Sequence, residues 1–393
     1  MPSAPSSPIQ PSSESAHAEL ARTKRKLASV EAKLAQATGK KRKHVSNINL
    51  GRGLSRLVSL FDSLSALVDE ADRRFAVQRG DIEEEEEVDE IVSRERDRCF
   101  ASYILLLRTV PRVKDLIEDS EQEDELTDLL DKLQHGANEA RRDDLRRILG
   151  ELPQWLNEDF TPERAFSLKN RRDRGLQNAV TGRLLCPISY NWDDTAVRTS
   201  IRNGTISIAD DFYLACFYPR ATGNVADVEA RFLRSKLLVK AYCAIFTSPS
   251  SADAFEEESE EGPARKRRRV DAQKKITKST VADLIGMEGK VTPRTIAHAA
   301  VMLAFNLTNC EHWRPSYNGF SYHSLYNFII DFFEDVHDPI TRRKVDQLLV
   351  WWNLQVFPDH VATVSDSQKS NDKLKRQRAQ RAAASNVAAN PSS

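Results

Sequence analysis

Cys310 and His312 lie two positions apart, and His323 follows in the next segment. Thiolate and imidazole are the side chains that hold zinc, but a zinc site needs three or four converging ligands and supporting outer contacts. The spacing here is loose, and Cys310 reads as the cap of the helix before it. No metal and no cofactor is expected. Asp193-Asp194 and Asp210-Asp211 are paired carboxylates of the kind used in general acid–base chemistry. Adjacent side chains do not converge on one point in a helix or strand, so each pair is expected to cap a following helix instead. His298 falls within an apolar helical stretch and is expected to be a satisfied core histidine or a surface one. Trp351-Trp352 follows no basic groove, so a core role is expected rather than base stacking.

The phosphate-binding, dinucleotide-binding, zinc-protease and nucleophile-elbow patterns do not occur. No enzymatic activity is therefore expected. The compact basic runs carry a stronger signal. One is Lys40, Lys41, Arg42 and Lys43; another is Arg265, Lys266, Arg267, Arg268 and Arg269. Both have the form of nuclear-import signals, which also serve as nucleic-acid patches. A run of like charges repels itself and stays extended, which suits an import receptor. Phosphate contact by the same residues would be weak, non-specific and salt-dependent. Further basic residues lie at Lys24–Lys26 and Lys373–Arg381.

The elements that surround these residues read as helical. The chain has 393 residues, 40% apolar and 30% charged, with a formal net charge of zero. That length accommodates one or two cores, and the polar excess points to tails beside the folded part. Zero net charge gives no global attraction to nucleic acid or membrane. The five scattered cysteines suggest small buried hydrophobes in a reducing compartment, not a disulfide framework. No secretory leader is read at the N-terminus, and the apolar runs fall short of a membrane span.

Residues 1–15 read as disordered, and Leu20, Leu27 and Leu34 as a short helix. One apolar position per heptad is a thin seam, so a coiled coil is the weaker reading there. Leu54 to Phe75 follow the spacing of one amphipathic helix. A second helix runs from the acidic stretch near Val88 to Pro111. Two further helical stretches, "DELTDLLDKLQ" and "RRDDLRRILGEL", flank Gly136 as a soft spot. Residues 160–225 look irregular, with "GTISIADD" as a short strand. "VEARFLRSKLLVKAYCAIF" reads as a helix with Phe232, Leu233, Leu237, Ala241 and Ile245 on one face. Residues 247–280 are polar throughout and read as a disordered insertion. Three helices follow, with start signals at Thr292-Pro293 and Asp338-Pro339 and a stop at Pro358.

The stretches "NAVTGRLLCP", "YNWDD…VRTSIRNG", "LRSKLLVKAYCAIFTSPSS", "VTPRTIAHAAVMLAFNLT", "FIIDFFED" and "LLVWWNLQVFP" occur in this order. Together they resemble an uncharacterised family of basidiomycete fungi, the domain of unknown function 6698, over about residues 100–358. The resemblance implies no assigned activity, cofactor or catalytic residue. It does imply that residues 247–280 form a loop within one domain.

The resulting expectation is a mostly α, irregular multi-helix domain over residues 51–360, with disordered termini and a long disordered internal loop. The expected role is a non-enzymatic nuclear protein-interaction module, met by an import receptor and other protein partners and not by a membrane. A cytoplasmic location is the alternative. The other readings are a nucleic-acid-associated protein of mobile-element origin and an enzyme of unfamiliar type.

Overall fold

The computed structural model describes residues 46–83, 89–168, 170–247, 280–358 and 360. Expectations for residues 1–45, 248–279 and 361–393, including both basic runs and the thin leucine seam, lie outside the described residues. Among the described residues the chain forms twelve α-helices and one small antiparallel hairpin, which agrees with the mostly α reading.

The first helices are α1 (Asn47–Leu57), α2 (Leu64–Arg79), α3 (Glu90–Thr109) and α4 (Pro111–Ile117). The amphipathic pattern from Leu54 to Phe75 is therefore two helices, not one. Ser63 breaks it: its extended backbone and side-chain bond to Ala66 N start α2. Gly80 then stops α2 in the left-handed conformation, φ 79°. Pro111 opens α4 at a position where its missing N–H costs nothing.

Helix α5 (Glu123–Phe160) has 38 residues and corrects the reading of two stretches about a soft Gly136. Glu123, Asp124 and Glu125 place negative charge on its N-terminal dipole. Both Gly136 and Pro153 lie inside it, buried. Short helices α6 (Ala179–Leu185) and α7 (Thr195–Arg202) follow. "GTISIADD" forms no strand. Helix α8 (Lys236–Phe246) begins later than its apolar spacing suggests. Arg231 and Leu233 hold positive φ (63° and 58°), and Ser235 caps the helix, so Phe232 and Leu233 enter the core from a turn.

After α9 (Val281–Leu284) come α10 (Pro293–Leu307), α11 (Tyr322–Glu334) and α12 (Pro339–Val356). Thr292, Ser321 and Asp338 cap these three. Strands β1 (Ser316–Tyr317) and β2 (Phe320–Ser321) pair around Asn318-Gly319, both at positive φ.

Two hydrophobic cores meet along α5. Leu129, Leu130 and Leu133 join the first with Leu54, Leu67, Tyr103 and Val113. Ile148, Leu152, Trp155 and Leu156 join the second with α8, α10, α11 and α12. Every residue of α10 from Arg294 to Leu307 is buried. A helix apolar nearly all round belongs at the centre of a body, and α10 packs on α1, α5, α8 and α11. Among the described residues, no helix is long and apolar enough to cross a membrane.

Candidate functional site

On α5, Ala137, Ala140, Asp144, Ile148 and Leu152 recur at three- and four-residue steps, so they share one face. Four are apolar and one is a carboxylate. Asp144 is 1% exposed. A buried carboxylate is strongly disfavoured unless it is paired and fully hydrogen-bonded.

Arg56 of α1 supplies the pair. Its Nε donates to Asp144 Oδ2 at 2.8 Å and its Nη2 to Oδ1 at 2.7 Å. This is the two-pronged geometry that a guanidinium offers a carboxylate. His298 of α10 closes the group, with Nε2 2.9 Å from Asp144 Oδ2 and Nδ1 3.0 Å from the Ser55 carbonyl. Each ring nitrogen thus stands within hydrogen-bond distance of one oxygen. Burial pushes the Asp144 carboxyl up. The Arg56 charge and the bonds from His298 and Arg56 outweigh burial and hold it below the usual carboxylate range.

Close helix approach brings Arg56 to Asp144. A Cβ on Gly51 would stand 2.0 Å from the Leu133 carbonyl oxygen, and one on Gly136 2.1 Å from that of Ile48. Glycine at both positions lets α1 and α5 cross backbone to backbone. At the rim, Arg52 pairs with Glu139 and Asp143.

Arg294 makes a second buried junction. It grips both carboxylate oxygens of Glu334 at 3.2 and 3.1 Å. Its Nη1 donates to Ser102 Oγ at 2.6 Å and to the Val58 carbonyl. One side chain thus ties α10 to α11, α3 and the α1–α2 turn. At the far end of α10, Arg171 and Arg174 donate to the Phe305 and Asn306 carbonyls, both at 2.9 Å. Positive charge suits a helix C-terminus. Burial and the Arg171 charge push the Arg174 guanidinium down to about 10.

Ser55, His298 and Asp144 are the residue types of a nucleophilic triad, but this geometry does not form one. A general base needs a ring nitrogen directed at the reacting hydroxyl. Here one nitrogen holds the carboxylate and the other a main-chain carbonyl, and the imidazole is 0% exposed. The chemistry of this arrangement is clamping: three helices held by one charged knot.

The other residues singled out in the sequence lie apart from this knot. His298 is the satisfied core histidine expected. Asp194 caps α7 as expected, through Ala196 N and Val197 N, while Asp193 pairs with Arg183. Asp211 departs from the expectation: it holds Tyr213 N in a turn, and the nearby 3-10 helix has no side-chain cap. Cys310 is not the helix cap either. Thr308 ends α10, and the Cys310 thiol contacts the His312 carbonyl. Among the described residues no group of three or more His, Cys, Asp or Glu could hold a metal ion. Trp352 is fully buried, and Arg234 lies 5.5 Å over the half-buried Trp351 ring. Lys40–Lys43 and Arg265–Arg269 lie outside the described residues.

Fold and knot together define an all-α body whose converging charges hold its own helices in place. The chain belongs to a family of unknown function, DUF6698, which it matches over residues 135–357. No curated protein and no solved structure matches it. Asp144, Arg294 and His298 lie within the matched span, and Gly51, Arg56 and Ser102 precede it.

Proposed function

We propose that the protein is a non-enzymatic nuclear protein-interaction module. The observation that supports this reading is that the two helices flanking the segment with Arg265–Arg269 in sequence pack together. Helix α8 ends before the segment, α9 begins after it, and the two helices pack together. A compact basic run in a segment that joins packed helices suits an import receptor. Protein contact is supported by apolar side chains left outside the cores. On α12, Ile340, Val350 and Leu354 are 66%, 58% and 43% exposed. The buried charges support a scaffold role, because Arg56, Asp144 and His298 are committed to one another.

The test is a fluorescent fusion of the full chain. Changing Arg265, Lys266, Arg267, Arg268 and Arg269 to alanine, with and without the Lys40–Lys43 cluster, is expected to move fluorescence from nucleus to cytoplasm. An intact fusion that is already cytoplasmic sinks the reading. The same basic runs support a second reading, nucleic-acid association. That reading requires binding that weakens steeply between low and moderate salt, and flat affinity opposes it.

A further inference from the structure

Gly136, Asp144, Arg294 and His298 belong to the span that matches the family, yet each also meets a partner outside it. Gly136 faces the Ile48 backbone, and Asp144 holds Arg56. Arg294 donates to Val58 O and Ser102 Oγ, and His298 Nδ1 lies 3.0 Å from Ser55 O. The three side chains are 1%, 2% and 0% exposed, in that order. Without the preceding helices, this face of α5 and α10 would present a carboxylate, a guanidinium and an imidazole that have lost these partners.

The other side is equally dependent. Helix α1 has 11 residues, and a helix of that length is marginal alone in water. Its buried residues are Gly51, Gly53, Leu54, Ser55 and Arg56. The glycine that permits close approach and the arginine that reads the carboxylate stand five positions apart on it.

We infer that residues 47–117 are a docked helical layer, recognised by the face of α5 and α10 through shape and charge and not merely tethered to it. The partner this face fits is a helix with a glycine at the crossing point and an arginine five positions later. The structural domain therefore reaches back at least to about residue 47, well before the family match. This inference is independent of nuclear location.

The test uses the full chain with a specific protease site inserted between the exposed Glu118 and the half-buried Asp119. After cleavage the halves are expected to elute together at roughly 1 μM, which requires a Kd well below that concentration. Arg56→Ala is expected to weaken their association by about a hundredfold or more, because it leaves Asp144 buried without its guanidinium. Gly51→Leu should part the halves by steric collision. Arg52→Ala, at the rim, should stay within about threefold. Should Arg56→Ala fail to fold before cleavage, Arg56→Lys takes its place, with at least about tenfold weakening expected from loss of the forked contact. Halves that separate without any substitution overturn the inference. So do Arg56 and Gly51 variants whose halves hold as tightly as the parent.

Discussion

Replacing Asp144 by asparagine changes one oxygen for an amide and leaves the shape of the knot intact. The Arg56, Asp144 and His298 side chains are 4%, 1% and 0% exposed, so water cannot take over the lost contacts. Removing one partner from a buried pair costs about 3–5 kcal/mol. Asparagine keeps one oxygen, which the amide can turn to the Oδ2 position beside Arg56 Nε and His298 Nε2, returning about 1 kcal/mol. Its NH2 group then stands against Arg56 Nη2, donor facing donor, where Oδ1 had accepted. The net expectation is a loss of about 3 kcal/mol, or about 6 °C in Tm for a domain of this size.

Urea unfolding followed by helical circular dichroism measures the loss. Asp143→Asn is the control: its side chain is 46% exposed, and the expected change is within about 0.5 kcal/mol. The acid limb gives a second readout. Asp144 is held below its ordinary value, so its contribution is complete above the unfolded carboxylate pKa of about 3.9. The contribution fades as pH falls through the lower folded value. The gap between parent and Asp144→Asn should therefore close in strong acid. Equal stability of the two at pH 7, or an Asp143→Asn loss as large as that of Asp144→Asn, would refute the reasoning.

Gly51→Ala and Gly150→Ala should move stability in opposite directions. The first forces a Cβ against backbone and should cost about 2 kcal/mol or more, whereas Gly150 has open space and should gain about 0.5–1 kcal/mol in thermal unfolding. Asp159 accepts from Lys236 and from the buried Lys240, so Asp159→Asn should cost about 2 kcal/mol at neutral pH. Burial pushes Asp159 up, but both lysines outweigh it and hold its pKa low. The difference should likewise vanish as pH falls through that value, in acid-titrated chemical unfolding. Burial pushes the Cys99 thiol up to about 11 and Cys186 up to about 12. Labelling with a thiol-disulfide reagent at pH 8 should be slow in the native protein and fast in denaturant, and rapid native labelling of Cys186 would contradict its burial.

Helix starts were the most legible part of the fold. Thr292-Pro293 and Asp338-Pro339 carry cap and first-turn chemistry within two residues, and both start helices where the sequence places them. Local stops were harder to read. Gly136 resembles a soft spot in sequence because glycine weakens an isolated helix, yet in the fold it is where α1 lies against α5. The Leu54–Phe75 pattern stays amphipathic across a real break because Leu60 and Phe61 turn toward the second core. The knot left a fainter trace. "RRDD" looks like a solvated charge run, and only the register of Asp144 with Ala137, Ala140, Ile148 and Leu152 marks it as inward-facing. The pairing with Arg56 and His298 crosses the chain at distances no local pattern encodes.

Those distances bear on how the molecule is born. The bonds of the knot join residues 88, 154 and 243 positions apart, and the Arg294–Val58 bond spans 236. A ribosome releases Arg56 and Asp144 long before His298. The nascent chain can join α1 to α5 early, but the central helix reaches its seat only after the 154 positions from Asp144 to His298 have followed. Long-range closure is slow, and until it occurs the apolar face meant for α10 stands open to other chains. The most vulnerable moment of this fold is therefore the interval between the release of α5 and that of α10, with the first core made and the central helix still to come.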